Sequence, residues 1–192
     1  MEGLDASGKT TQSKLLVKSL RKKGFDAIYT TEPSKGRIGQ LIRRHVLLEE
    51  NRSSVILEAL LFSADRIDHL EREVMPFLED KKIVVSDRYL YSSLAYQGAA
   101  GLDLKWIKEI NKWAVKPDLT IYLDLPPEVV LQRLKRKKSV METLSNQQQV
   151  RNIYLKLVKA HNLCMVDGNK PKGKVAKEIL EVVTTFLLAQ DA

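Results

Sequence analysis

A single cysteine, Cys164, stands among 192 residues. One thiol makes neither an internal disulfide nor a cysteine-based metal site, so neither supports this fold. It falls in an apolar run, residues 163–166, where a buried strand thiol is expected. Long hydrophobic runs are absent as well. No stretch approaches the roughly 18 uninterrupted apolar residues of a membrane span. No basic-then-apolar opening with a cleavage site reads as a leader. The expectation is a cytoplasmic protein with no membrane partner. No repeat, low-complexity tract or Pro/Gly/Ser-rich linker divides the chain, so residues 1–192 are read as one domain. The three histidines, His45, His69 and His161, are scattered; none is assigned a role, and no Ser–His–Asp grouping is visible.

What the chain does have is an ordinary globular mix, 44% apolar and 29% charged, with an excess of cations. Lys plus Arg number 32 and Asp plus Glu 24, a formal charge of +8. A basic balance suits anionic partners: nucleic acid, a membrane surface or phosphorylated small molecules. Charge alone does not choose among these, and part of it is solvated surface.

Helical and strand patterns alternate. Residues 10–23 carry Leu15, Leu16 and Leu20 among lysines and stop at Gly24, a natural helix end. Strands are expected over 26–31, 82–86, 119–123 and 163–167. Helices are expected over 37–48, 53–79 (bent near Pro76), 89–97, 104–113, 127–138, 144–161 and 173–188. Short, continuously apolar strands between helices predict an α/β fold: a three-layer arrangement with a parallel sheet of about five strands covered on both faces. Such sheets bind ligands at the carboxyl ends of their strands.

Gly3-Leu4-Asp5-Ala6-Ser7-Gly8-Lys9-Thr10 fits G-x-x-x-x-G-K-S/T at every fixed position. The glycines let backbone amides turn toward phosphate oxygens, and the helix that starts near Lys9 adds its N-terminal dipole. Lys9 is a point charge for the β- and γ-phosphates, and the Thr10 hydroxyl is placed for Mg²⁺. With Thr11, these residues form the expected ATP site. Only Met1 and Glu2 precede Gly3. The chain as given is therefore expected to hold just the end of its first strand, at a cost to the sheet.

A second constellation leaves the strand at 82–86. Arg88 can fork onto a phosphate. Asp87 can hold a magnesium-bound water or orient Arg88. The bland alternative is a weak surface ion pair, but beside a phosphate cradle the functional reading is favoured.

These segments together resemble the thymidylate kinase family of P-loop nucleoside monophosphate kinases. Residues 87–97, Asp-Arg-Tyr-Leu-Tyr-Ser-Ser-Leu-Ala-Tyr-Gln, are similar to that family's D-R-Y/F/H-x-x-S-x-x-A-Y/F-Q signature. Glu2 through Gln12 resemble its P-loop. Leu61-Phe62-Ser63-Ala64-Asp65-Arg66 match its L-F-x-A-x-R element, and Glu32-Pro33 with Gly39 resemble its E-P-G-G-T-x-x-G loop. The likeness runs from Glu2 to about Gly168.

The resemblance implies phosphoryl transfer from ATP to dTMP, with Mg²⁺, in a protein that is typically dimeric; the apolar helix around 55–62 is a candidate to pair. It implies that Phe62 stacks on thymine, Arg66 donates to a thymine carbonyl and Ser93 meets the base's N–H edge. Tyr96 would crowd the 2′ position, Asp5 accept from the 3′-hydroxyl, and Arg88 grip the acceptor phosphate. Glu32, Pro33 and Gln97 belong to the same acceptor side. Taken alone, Phe62 is more often a core residue, and Arg66 a surface charge beside Asp65 or Glu58. Either Lys35 or Arg37 supplies a cation to the acceptor phosphate.

The basic run from Arg133 to Lys138 suggests a lid over about 135–145 that closes on the γ-phosphate, as an arginine finger does. Its alternatives are a solvated basic face or a nucleic-acid patch. Where some family members carry an arginine in the P-loop, this chain has Ala6, which shifts that task to Arg136, Lys137 or Lys138. By resemblance Arg133 lies against adenine, and Arg151 and Tyr154 match the family's R-x-x-Y. Other readings are a different P-loop nucleoside monophosphate kinase, or a nucleic-acid-binding ATPase. Against the last, no aromatic-studded basic groove or nucleic-acid motif is present.

Overall fold

A computed structural model describes residues 1–46, 54–134, 143–161 and 163–190. Five short strands alternate with helices. The strands are β1 (Glu2–Gly3), β2 (Ala27–Thr31), β3 (Ile83–Asp87), β4 (Ile121–Asp124) and β5 (Cys164–Asp167). The helices are α1 (Lys9–Lys22), α2 (Arg37–His45), α3 (Val55–His69), α4 (Met75–Glu79), α5 (Leu90–Ala99), α6 (Leu104–Ile110), α7 (Pro127–Arg133), α8 (Leu144–His161) and α9 (Lys172–Gln190). The expected elements are all present within the described residues, with ends shifted by a few positions. Between α3 and α4 the chain widens into a π-helical turn, Leu70–Val74. Pro76 has no N–H for the carbonyl four residues back, and the widened turn lies just ahead of it.

Every pairing is parallel: β2 with β3, β1 with β4, and β4 with β5. Met1 joins the two sets, donating from its amino group to the Ser86 carbonyl at 2.8 Å and accepting from the Arg88 amide at 2.9 Å. The strand order is therefore β2-β3-β1-β4-β5. The chain leaves β1 toward β2 in one direction and crosses from β3 to β4 in the other. Right-handed crossovers then put the intervening helices on opposite faces. The packing agrees: α1 pairs with α9, and α5 with α8. The core fills both faces with Leu4, Leu20, Leu94, Ile107, Leu123 and Ile179, each at most 1% exposed. Cys164 sits on β5 as expected but is only half-buried. At the switch between β3 and β1, the carboxyl ends of two strands open into one crevice.

Candidate active site

The loop leaving β1 is a backbone cradle. Gly3 adopts φ 148°, and a Cβ there would lie 2.8 Å from the Leu123 carbonyl oxygen and 2.9 Å from Ser7 Oγ, so no larger residue fits. Ala6 and Gly8 also take positive φ, which turns successive amides inward to form an anion nest. Leu4 is wholly buried, so only its backbone belongs to the cradle. Ser7 is buried too, and Ala6, Thr10 and Thr11 are exposed. Lys9 bends back over the loop, its Nζ donating to the carbonyls of Gly3 at 3.0 Å and Leu4 at 2.6 Å. Burial drives its ammonium down to about 8, helped by the Arg88 cation and opposed by Asp5, Asp87 and Glu2.

Two side-chain bonds tie this loop to the end of β3. The Thr10 hydroxyl donates to Asp87 Oδ2 at 2.5 Å, and Arg88 pairs with Asp5. Arg88 does not turn to Asp87 but to Asp5, to Ser92 Oγ at 3.1 Å and to the Tyr96 ring and hydroxyl. A hydroxyl and a carboxylate fit Mg²⁺, which takes one or two carboxylates and completes its shell with water and phosphate. Among the described residues no cluster of three or more His, Cys, Asp or Glu forms a closed metal cage. Tyr96 also donates to Asp5 at 3.1 Å. Burial and the neighbouring Asp5 push its hydroxyl up, so it remains a donor. Burial opposes ionisation of Asp5, but Arg88 and Lys9 outweigh it and hold the carboxyl low.

The acceptor side centres on Arg66, 1% exposed. Its guanidinium donates to Glu32 Oε2 from Nε at 3.0 Å and Nη2 at 2.7 Å, to Asn111 Oδ1, and to Ser93 Oγ at 3.1 Å. It also lies 5.2 Å from the centroid of the Tyr89 ring. Arg66 is thus a buried charge paired across the site, not a surface charge beside Asp65 or Glu58. Phe62 is half-buried and stays outside the hydrophobic core cluster, which disfavours the core reading. Gln97 is buried, and its Oε1 has no protein hydrogen-bond partner. Pro33 is buried in the adjoining loop.

Lys35 and Arg37 are exposed, and neither side chain bonds to the other site residues among the described contacts. The cation that grips their loop is Arg43, which donates to the carbonyls of Pro33, Ser34 and Gly39. Asp65 holds the same loop through the Ser34 amide at 2.7 Å and hydroxyl at 2.6 Å. Arg133 is exposed at the end of α7. Arg136, Lys137 and Lys138, with most of the expected lid, lie outside the described residues.

Several further pairings could not be read from the sequence. Glu2, 1% exposed, accepts from the Tyr89 amide at 3.0 Å, Ser92 Oγ at 2.6 Å and Tyr154 at 2.9 Å. Tyr154 stacks on Tyr122, centroids 4.7 Å apart. Arg151 forks onto Asp124 with two bonds of 2.8 Å. His69 lies 2.6 Å from the Thr30 hydroxyl and 3.4 Å from Glu32, while Thr30 donates to Glu73 at 2.7 Å. The sequence left His69 without a role; the structure places it behind Glu32.

Comparison with known proteins adds a separate line of observation. The family model for thymidylate kinase matches residues 1–179. The chain is 46% identical to a probable thymidylate kinase of Pyrococcus abyssi, covering 98% of this chain and 96% of that one. It is 45% identical to the probable thymidylate kinase of Thermococcus gammatolerans, over 98% and 96%. The similarly named protein of Thermococcus kodakarensis is 39% identical over 97% of each chain.

Proposed function

The chain belongs to the thymidylate kinase family, and from that premise we propose that it transfers the γ-phosphoryl group of ATP to dTMP, giving ADP and dTDP. The observation that supports this most directly is the double tie between the two halves of the crevice. Thr10–Asp87 and Asp5–Arg88 bring the phosphate cradle and the acceptor cation to one place. A nucleic-acid-binding ATPase needs no such acceptor pocket and is not favoured.

In this reading the nest of residues 3–8, with Lys9, Thr10 and Thr11, holds the ATP phosphates. Thr10 and Asp87 would hold Mg²⁺, which would supply charge neutralisation to the transferring phosphates. Arg88 grips the dTMP phosphate. That phosphate is largely dianionic near neutrality, since its second pKa is about 6. Its oxygen attacks the γ-phosphorus as the bond to the bridging β,γ-oxygen breaks, so no general base is needed. Positioning and electrostatics supply the rate. Phe62 stacks on thymine, and Arg66, Ser93 and Gln97 face its polar edges. Gln97 brings a buried acceptor that has no protein donor. Tyr96, held on Asp5, crowds the 2′ position. Arg136 or Lys137 covers the γ-phosphate, and Arg133 lies against adenine. A cytoplasmic setting goes with this reading; no helix among the described residues is long and apolar enough to cross a membrane.

We also propose a homodimer through α3, where Ile56, Leu57 and Leu60 are 53%, 49% and 45% exposed. Light scattering of a Leu57→Glu variant is expected to show a monomer where the parent gives twice that mass. A monomeric parent sinks the idea.

The test of function is Mg²⁺- and ATP-dependent diphosphate formation from dTMP, dUMP, UMP, CMP, AMP and GMP. dTMP is expected to lead, and Lys9→Ala to lose about 10²–10³-fold in kcat. A better acceptor than dTMP overturns the substrate assignment.

A further inference from the structure

His69 is a titratable side chain, 1% exposed, at the end of α3, and phosphoryl transfer gives it no proton to move. A chain of contacts runs through it to Arg66. The Thr30 hydroxyl, on β2, donates to Glu73 Oε1 at 2.7 Å. A hydroxyl has one proton to give, so at the 2.6 Å contact between Thr30 and His69 Nε2 the ring is the donor. The other ring nitrogen, Nδ1, faces Glu32 Oε1 at 3.4 Å. A proton on Nδ1 makes that contact attractive too. The ring then stands as a cation between two carboxylates, and the charges of Arg66, Glu32, His69 and Glu73 sum to zero.

What this chain of contacts controls is the direction of one guanidinium. An arginine has five N–H donors. In Arg66, Nε and one Nη2 proton go to Glu32 Oε2, the second Nη2 proton to Ser93 Oγ, and one Nη1 proton to Asn111 Oδ1. Among the described residues that leaves one N–H, on Nη1, for a ligand. The Tyr89 ring covers one face of the guanidinium, so the motion left to it is rotation within its own plane. The carboxylate sets that rotation. Arginine–carboxylate pairs frequently form a fork on both oxygens, but here both N–H groups converge on Oε2, and Oε1 is turned to His69.

We propose that His69 is a positioning residue for the acceptor base: by holding Glu32 Oε1 it keeps Arg66 out of the two-oxygen fork and aims the free Nη1 N–H at a carbonyl of the base. Thr30 and Glu73 hold the ring in turn. Without His69, Oε1 is released to Arg66, the guanidinium turns in its plane, and the free N–H leaves its line. The ligand half of this assignment rests on the dTMP reading; the orientation of Arg66 does not.

The test compares His69→Leu, which fills the space with no donor, with His69→Asn, which carries an amide N–H near the place of Nδ1. Two readings are taken. One is steady-state KM for dTMP and for ATP. The other is crystal structures of the nucleotide-free parent and variants, which show whether Arg66 bonds one oxygen of Glu32 or both. His69→Leu is expected to raise KM for dTMP about 10- to 100-fold, the worth of one hydrogen bond from a charged donor. KM for ATP should be unchanged, and Arg66 should fork onto both oxygens. His69→Asn is expected to stay close to the parent in both readings. KM does not depend on the folded fraction, so lost stability alone does not mimic the result. If His69→Leu does not fold, Thr30→Val, which keeps the ring but removes the hydroxyl that fixes it, takes its place with the same expectations. An Arg66 that keeps its single-oxygen geometry in His69→Leu overturns the proposal whatever KM does, and so does a His69→Asn enzyme as impaired as His69→Leu. A forked Arg66 in a protein whose best acceptor is not dTMP sinks the substrate reading and leaves the positioning role standing.

Discussion

On the donor side of the crevice, eight consecutive residues make the site from backbone amides, and one buried cation is folded back onto the loop's own carbonyls. On the acceptor side, side chains from five elements meet, and each cation is already matched: Arg66 with Glu32, Arg88 with Asp5. The donor half is a local device whose charge awaits a ligand. The acceptor half is a long-range network whose charges are neutralised within the protein. The first puts its chemistry at stake in a mutation, and the second puts the fold at stake as well.

The sharpest test sets one residue from each half side by side. Glu32→Gln leaves the Arg66 guanidinium buried without its counter-charge, and breaking such a pair costs about 3–5 kcal/mol. For a chain of this size that lowers Tm by about 6–20 °C. Lys9→Ala, by contrast, removes a cation whose burial is unfavourable, so its Tm is expected to stay within a few degrees of the parent while activity collapses. Thermal melts of the two variants decide it. The comparison breaks if Lys9→Ala melts as early as Glu32→Gln.

Phe62 tests the acceptor half at a half-buried ring that stays outside the hydrophobic core cluster. If the ring stacks on thymine, Phe62→Ala costs about 1–3 kcal/mol of dTMP binding, read as a rise of about 5- to 150-fold in KM for dTMP with KM for ATP unchanged. A core phenylalanine would instead show about 3–5 kcal/mol of lost stability. Steady-state kinetics and a melt on the same variant separate the two. A large drop in Tm with KM for dTMP unmoved returns Phe62 to the core.

The same contrast explains what could be read from sequence. The cradle was legible because its conformation is written in adjacent residues: glycines where φ is positive, then a helix start at Lys9. The strands were legible from apolar runs, and the parallel sheet from their alternation with helices, but not the order of the strands within it. The acceptor network was not. Arg66 finds Glu32 34 positions away and Asn111 45 away, and Arg88 finds Asp5 83 away; no periodicity links them. Resemblance to a family pointed to Arg66, Ser93 and Tyr96, but not to the bonds that hold them, nor to His69 and Thr30 behind Glu32. The loop after β2 shows the difference most plainly. Sequence offered Lys35 or Arg37 as the cation toward the acceptor phosphate, and both are exposed; it gave no sign of what holds the loop itself. Arg43, one turn beyond Gly39 on α2, is the residue that reaches the loop carbonyls.

Lys9 allows the smallest and most specific test, through pH. Its folded-state pKa, about 8, lies below the ordinary lysine value of 10.5. Between those limits the unfolded chain binds a proton that the folded chain does not, so this group's contribution to stability rises with pH across that window. Phosphate binding runs the other way, because it needs the ammonium. A single group titrating at about 8 loses about tenfold in its charged fraction between pH 7 and pH 9, and kcat/KM for ATP is expected to fall by that factor. Bound phosphate raises the lysine's pKa, so kcat should hold to higher pH. The acceptor half has no matching limb: Asp5 is held low by Arg88 and Lys9, and Arg88 is held high by Tyr96 and Asp5 despite burial. With ATP saturating, kcat/KM for dTMP should therefore stay flat to about pH 9. Equal alkaline loss for both substrates would mean that the two halves titrate as one, and that the charge of Lys9 is shared with the acceptor network through Asp5.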